Sequence, residues 1–121
     1  AIKIARRVPA LVEQAGALDF LTRELNELPE GVTTVVWHSV VWQYIDPEER
    51  AAVNDLLSEA GAGATDDARL ARVSLEPQRV GGGDYTFQVH IQTWPGGKRV
   101  HVANASGHGP PGVWNGARLH V

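Results

Sequence analysis

Residues 31 to 44, GVTTVVWHSVVWQY, determine the fold that the sequence predicts. The apolar run that ends at Trp37 does not alternate with polar residues, which is typical of strands buried on both faces in helix-covered parallel sheets. We therefore expect Val35 and Val36, which point to opposite faces, both to be buried. Ligands of open parallel sheets bind beyond the carboxyl ends of the strands, so we expect a ligand pocket at the end of the strand Val32 to Val41.

Four side chains at this strand end are the candidates for the ligand pocket: His38, Ser39, Trp42 and Tyr44. His38 and Ser39 are adjacent in a strand and so point to opposite faces, and no G-x-S-x-G turn surrounds the serine, which argues against a hydrolase triad. A histidine that is merely hydrogen-bonded at a strand end is the competing interpretation. Trp42 and Tyr44 are suited either to stack on a flat ligand or to fill a core, whereas Trp37 is expected in the core.

Length and composition restrict the classes of function. A chain of 121 residues forms one domain at most, and 43% hydrophobic with 21% charged residues is ordinary for a globular domain. The formal net charge of −3 favours neither nucleic acid nor an anionic membrane as a partner. The absence of cysteine excludes disulfides and fits a cytoplasmic location. The sequence contains neither an apolar run long enough to span a membrane nor a signal peptide.

Two helices are expected on either side of the buried strand. Leucines spaced at steps of three and four predict a helix over residues 17 to 28. Asp46 is a favourable N-cap for the second helix, Glu49 completes a capping box, and Gly61 ends the helix. Upstream of both helices, a short helical or irregular piece precedes residues 10 to 13, which are compatible with a short strand.

The second half of the chain predicts a strand and then a hairpin. Residues 69 to 76 alternate as a strand that Pro77 closes, and the turn Pro95-Gly96 joins strands over residues 85 to 94 and 98 to 103. Element order therefore predicts an α/β fold: a mostly parallel sheet flanked by helices, with a C-terminal antiparallel β-hairpin. Residues 107 to 116 are interpreted as a loose tail, with a lid as the alternative.

The hairpin register follows if Pro95-Gly96 is a two-residue turn. Val89 then pairs with Val102, Ile91 pairs with Val100, and His90 faces His101. No carboxylate or third histidine is placed beside the two imidazoles, so they are interpreted as an exposed pair without a metal, and no metal site is predicted.

Two family resemblances add context. The segments GVTTVVWHSVVWQYIDPEER and TWPGG resemble a bacterial family of unknown function, domain of unknown function 2332. That resemblance covers nearly the whole chain but only the C-terminal part of the usually longer members, which implies that residues 1 to 121 are one domain forming the C-terminal portion of a longer α/β domain.

A more distant resemblance is to the second half of the class I S-adenosylmethionine-dependent methyltransferase fold. It implies a Rossmann-like half-sheet with His38, Ser39, Trp42 and Tyr44 at the substrate-facing end. The glycine-rich loop of that fold is absent, and Asp19 is the remaining candidate for the cofactor-contacting carboxylate. S-adenosylmethionine is therefore expected to bind only if upstream sequence completes the pocket.

These observations leave three hypotheses for function. The first is the C-terminal part of a methyltransferase-like domain with its ligand pocket at the strand end. The second is a non-catalytic binding or scaffold module that keeps the fold, and a metal-dependent hydrolase is the weakest. A small-molecule ligand is the expected partner. An open sheet edge invites pairing, so we also expect either a homodimer or a missing N-terminal segment to cover it.

Overall fold

A computed structural model describes residues 2–119, which form a curled mixed sheet with helices packed on one face. The sheet order is β1-β2-β3-β4-β5. The elements, in chain order, are α1 (Ile2–Arg7), α2 (Ala17–Glu24), β1 (Val32–Ser39), a 3-10 helix (Trp42–Tyr44), α3 (Pro47–Ala62), β2 (Ala68–Gly81), β3 (Asp84–Trp94), β4 (Lys98–Ser106) and β5 (Gly109–Trp114).

The expectation of a mostly parallel, Rossmann-like sheet is wrong. Within the described residues only β1 and β2 pair in parallel, and each later strand runs antiparallel to the one before it. The reason is the length of the connections: α3 provides the long crossover that a parallel pair requires, whereas later strands are joined by short turns that reverse the chain. At the β2–β3 turn, Gly82 and Gly83 both adopt positive φ angles, which glycine allows without steric strain.

The strand boundaries also differ from the sequence expectation. β2 continues past Pro77, which pairs with Phe87 of β3. The proline is tolerated because β1 has already ended at this point, so the proline nitrogen faces an open edge. The segment interpreted as a tail contains β5, which pairs antiparallel with β4. Residues 10 to 13 form no strand.

The hairpin register is confirmed near its turn and wrong beyond it. Ile91 pairs with Val100, and His90 pairs with His101, as expected. A bulge between Val89 and His90 then shifts the register, so that Val89 faces Ala103 and not Val102. An inserted residue of this kind cannot be read from alternation alone.

The strand β1 is covered on one face and open on the other. Val36 packs against the core, but Val35 is 56% exposed and Trp37 is 57% exposed. The expectation that both valines are buried is therefore wrong, and Trp37 is not a core residue. β1 lies at an edge of the sheet, and the Val35 and Trp37 side chains on this face stay more than half exposed.

The core lies between the two longer helices and the middle of the sheet. Its buried members are Leu25, Val53, Leu57, Leu70 and Trp94. Leu25 follows α2, the next two belong to α3, and the last two lie on β2 and β3, so this cluster fixes both helices on the same face of the sheet. Among the described residues, no helix is both long and apolar enough to cross a membrane.

The α3 helix begins at the predicted cap, but the predicted capping box does not form. Asp46 Oδ1 accepts a hydrogen bond from the backbone N–H of Glu48 at 2.9 Å, and Pro47 opens the helix. Glu49 Oε1 instead accepts from the backbone N–H of Leu18 at 3.1 Å. That N–H is one of the unpaired donors of the first turn of α2, so Glu49 joins the two helices.

Gly61 allows α3 to approach the sheet closely, and its replacement is a test of this packing. A Cβ atom at this buried position would overlap the Trp94 ring. We expect Gly61→Ala to lower the free energy of unfolding by about 1–3 kcal/mol, because the ring has to move.

The matched control is Gly63→Ala at the C-cap of the same helix. Gly63 has φ of −85°, and an added Cβ would meet only a carbonyl oxygen at 3.5 Å. This variant should keep wild-type stability within about 1 kcal/mol. Urea denaturation followed by circular dichroism measures both, and equal losses in the two variants would contradict the close packing.

Candidate ligand-binding site

The site is built where the parallel pair β1 and β2 ends. His38 pairs in register with Ser74, so Glu76 lies two residues further along β2 on the same face. His38 Nδ1 is 2.7 Å from Glu76 Oε1, and both side chains are largely buried. The parallel pairing therefore brings together two groups that are far apart in sequence.

The Glu76 carboxylate also holds the turn that follows β1. Its Oε1 atom accepts hydrogen bonds from the backbone N–H groups of Val41 and Trp42, each at 3.2 Å. The residue is only 5% exposed, and Oε2 is buried without a hydrogen-bond partner within residues 2–119. One carboxylate oxygen thus positions both the histidine and the start of the 3-10 helix.

Arg72, on the same face of β2, contacts the ring nitrogen of His38 that Glu76 does not. Its Nε donates to His38 Nε2 at 3.0 Å, and a terminal nitrogen donates to Asn54 Oδ1 of α3 at 2.8 Å. The guanidinium lies 4.5 Å from the centre of the Trp42 ring, and the His38 ring stacks on that ring at 5.1 Å. Three separate contacts therefore hold Arg72 in one orientation.

These partners determine the protonation state of His38. A guanidinium only donates, so Nε2 must accept, and Nδ1 carries the proton that is donated to Glu76. Burial lowers the pKa of His38; the bond to Glu76 opposes this, and the positive charges of Arg72 and Arg99 lower the pKa further. The imidazole is neutral at pH 7, and both of its nitrogens are engaged.

A cavity of about 350 Å³ opens beside this cluster, and we call it the arginine cavity. Three arginines line it, Arg50 from α3, Arg72 from β2 and Arg99 from β4, whereas Glu76 is its one lining carboxylate among the described residues. Burial, and then the charge of Arg99, lower the pKa of Arg72 to about 10, with Glu76 opposing the shift. Arg72 is still a cation at pH 7, and the cavity carries excess positive charge.

His90 adds no charge to this region. Its Nδ1 atom is buried without a partner inside the described range, and burial, followed by the charges of Arg99 and His101, lowers the pKa of His90 to about 4. The His90 and His101 rings lie 5.2 Å apart, and both residues are half-buried, so the expectation of an exposed pair is wrong. Residues 2–119 contain no cluster of three or more candidate metal ligands.

A larger apolar groove of about 550 Å³ lies next to the arginine cavity. Side chains of α2, β1 and the turn after β1 form most of its walls, and Val53 and Leu57 of α3 and Arg72 of β2 complete the lining. His38, Trp42 and Arg72 line both spaces, so the groove and the cavity meet at these three side chains.

Of the four pocket candidates predicted from the sequence, two lie in the site and two lie outside it. His38 and Trp42 lie in the site. Ser39 is exposed on the opposite face of β1, and Tyr44 is 79% exposed and lines neither the cavity nor the groove. Asp19 is exposed in the first turn of α2 and also lines neither space.

The sequence analysis does not identify four charged residues of the site and one amide: Arg50, Arg72, Glu76, Arg99 and Asn54. The available signal was the alternation in β2. Ala71, Val73 and Leu75 form its apolar face, which leaves two opposite charges on the other face of a strand in the middle of the sheet. Such charges are rarely buried unless they are paired.

The chain belongs to the bacterial family described as "Uncharacterized protein conserved in bacteria (DUF2332)", whose model matches residues 1–114. This confirms the family resemblance, whereas the methyltransferase resemblance has no support in the fold. No curated protein and no solved structure matches the chain.

Replacement of Glu76 tests the way in which the site is held together. Glu76→Ala leaves the Nδ1–H of His38 and two backbone N–H groups without an acceptor, so we expect a loss of about 3 kcal/mol in the free energy of unfolding. Glu76→Gln retains an oxygen that can accept from the same donors and should lose about 1 kcal/mol.

Glu59→Ala, at an exposed position of α3, serves as the control and should lie within about 0.5 kcal/mol of wild type. Urea denaturation at pH 7 compares the three variants. If Glu76→Ala were no more costly than Glu59→Ala, the carboxylate would not be the organising group of the site.

Proposed function

We propose that this chain binds a small anionic ligand in the arginine cavity at the end of β1. The observation that carries the proposal is the charge of that cavity, where three arginines meet one carboxylate that is already engaged by His38 and two backbone N–H groups. An anion is the ligand that such a cavity attracts most strongly.

The geometry of Arg72 supports the proposal. Its Nε and one terminal nitrogen are engaged with His38 and Asn54, and its second terminal nitrogen makes no hydrogen bond within residues 2–119. A guanidinium that is already held in place loses little conformational entropy when it binds a carboxylate or phosphate. Trp42 supports the flat face of the group, which limits its movement further.

The relation between Arg72 and Arg99 supports the same conclusion. Arg99 lies close enough to lower the pKa of Arg72, so the two positive charges repel each other. Within the described residues neither Arg50 nor Arg99 forms a salt bridge. An anion placed between these groups would remove the repulsion and supply the missing countercharge.

The state of His38 favours binding over acid–base catalysis. A general base needs a free nitrogen within hydrogen-bond reach of its substrate. Here Nδ1 is bound to Glu76 and Nε2 to Arg72, so His38 orients the arginine and offers no free nitrogen. This supports the non-catalytic binding module among the hypotheses drawn from the sequence.

Titration with inorganic phosphate, followed by ¹H–¹⁵N NMR spectra, tests the proposal. We expect saturable shifts at Trp42 and along the end of β1, because the anion binds beside them. Arg99→Gln should weaken phosphate binding about fivefold, since it removes one exposed charge contact worth roughly 1 kcal/mol.

Arg79→Gln is the matched control, since this exposed arginine lies on β2, lines neither the cavity nor the groove, and donates to the Tyr85 hydroxyl. It changes the net charge by the same amount and should leave the phosphate affinity unchanged. Equal weakening in both variants, or no saturable shifts at the end of β1, would contradict an anion site.

A further inference from the structure

We infer that the ligand is an amphiphilic acid, a small molecule with one carboxylate or phosphate group and a hydrophobic body that lies in the apolar groove. The inference rests on the proposed function, because it takes the arginine cavity as the site of the acid group. It adds the chemical class of the rest of the ligand.

The first argument is the continuity of the two spaces. His38, Trp42 and Arg72 line both, so an acid group at Arg72 lies at the mouth of the groove. The groove holds about 550 Å³, within the range of about 300–1,000 Å³ that small-molecule pockets occupy. A small inorganic anion would leave that volume unfilled.

The second argument is the character of the groove walls. They are mostly apolar, and include Phe20 and Leu21 of α2, Val36 of β1 and Ile45 after the 3-10 helix. Phe20 is 38% exposed although it is aromatic. A hydrophobic body placed against these walls is removed from water, which strengthens binding in proportion to the area covered.

The third argument is the distribution of charge, which gives the ligand one orientation. Among residues 2–119, the side chains with a fixed charge that line the groove are Arg72 and Glu24. Glu24 accepts a hydrogen bond from its neighbour Arg23 at 3.1 Å and repels an acid. The acid group therefore points toward Arg72 and the arginine cavity, and the hydrophobic body extends along the groove.

A series of three probes tests the inference: acetate, 4-phenylbutyrate and the neutral 4-phenylbutanamide. We expect 4-phenylbutyrate to bind about thirtyfold more tightly than acetate, because its ring and chain bury apolar surface in the groove. The neutral amide should bind at least about tenfold more weakly than the acid, because it lacks the charge that the arginines recognise. Isothermal titration calorimetry and NMR shifts measure the affinities and the location.

Two variants locate the two ends of the probe. Phe20→Ser removes a groove wall, so it should weaken the binding of 4-phenylbutyrate about fivefold and leave the binding of acetate unchanged. Arg99→Gln should weaken the binding of both acids. Tyr85→Ser is the control for loss of an exposed aromatic ring, since Tyr85 lines neither space, and it should change neither affinity.

The outcomes separate this inference from the proposed function. If both acids bind with equal affinity and their binding depends on Arg99, the arginine cavity is an anion site and the inference of an amphiphilic ligand is wrong. If neither acid nor inorganic phosphate binds, the proposed function itself fails. If the acid and the neutral amide bind equally, the inference is overturned.

Discussion

The buried carboxylate of Glu76 is the constraint on which the rest of the site depends. A buried carboxylate is stable only when donors surround it, and here one oxygen accepts from a histidine and from two backbone N–H groups. Those bonds fix the direction of the chain as it leaves β1. The His38 ring, the Trp42 ring beneath it and the Arg72 guanidinium then take their positions in turn.

Negative, neutral and positive side chains follow one another in the cluster, and positive charge is left over at its arginine end. Glu76 is negative, His38 is neutral and Arg72 is positive, so the carboxylate and the guanidinium are linked through the imidazole. Arg99 then lies near Arg72 without a carboxylate of its own in the described part of the chain. A domain that is acidic overall thereby presents a local excess of positive charge at one strand end.

Local signals in the sequence were sufficient for parts of the fold. Asp46 and Pro47 mark the start of α3 because capping depends on neighbouring residues alone. The turn Pro95-Gly96 predicts the pairing of His90 with His101 correctly, because the register next to a turn also depends on residues close in sequence. The bulge beyond that pair, the pairing of β5 with β4 and the exposure of Val35 depend on distant neighbours, and no local pattern reports them.

The candidate site was only half predictable. His38 and Trp42 follow an apolar run at a strand end, where ligands of α/β sheets bind, so this pattern predicts both as pocket candidates. The alternation in β2 predicts its apolar face and gives no sign that Arg72 and Glu76, on the other face, belong to a site. Their role appears only when β1 and β2 pair in parallel, which joins His38 to Glu76 across 38 positions of sequence.

The protonation of His38 tests this account most directly. Long-range ¹H–¹⁵N spectra, assigned with a His38→Gln variant, report which ring nitrogen carries a proton and at what pH the ring becomes charged. The account predicts a neutral ring at pH 7 with its proton on Nδ1, and a pKa below the ordinary histidine value because the ring is buried. A proton on Nε2, or a charged ring at pH 7, would contradict the link between Glu76 and Arg72.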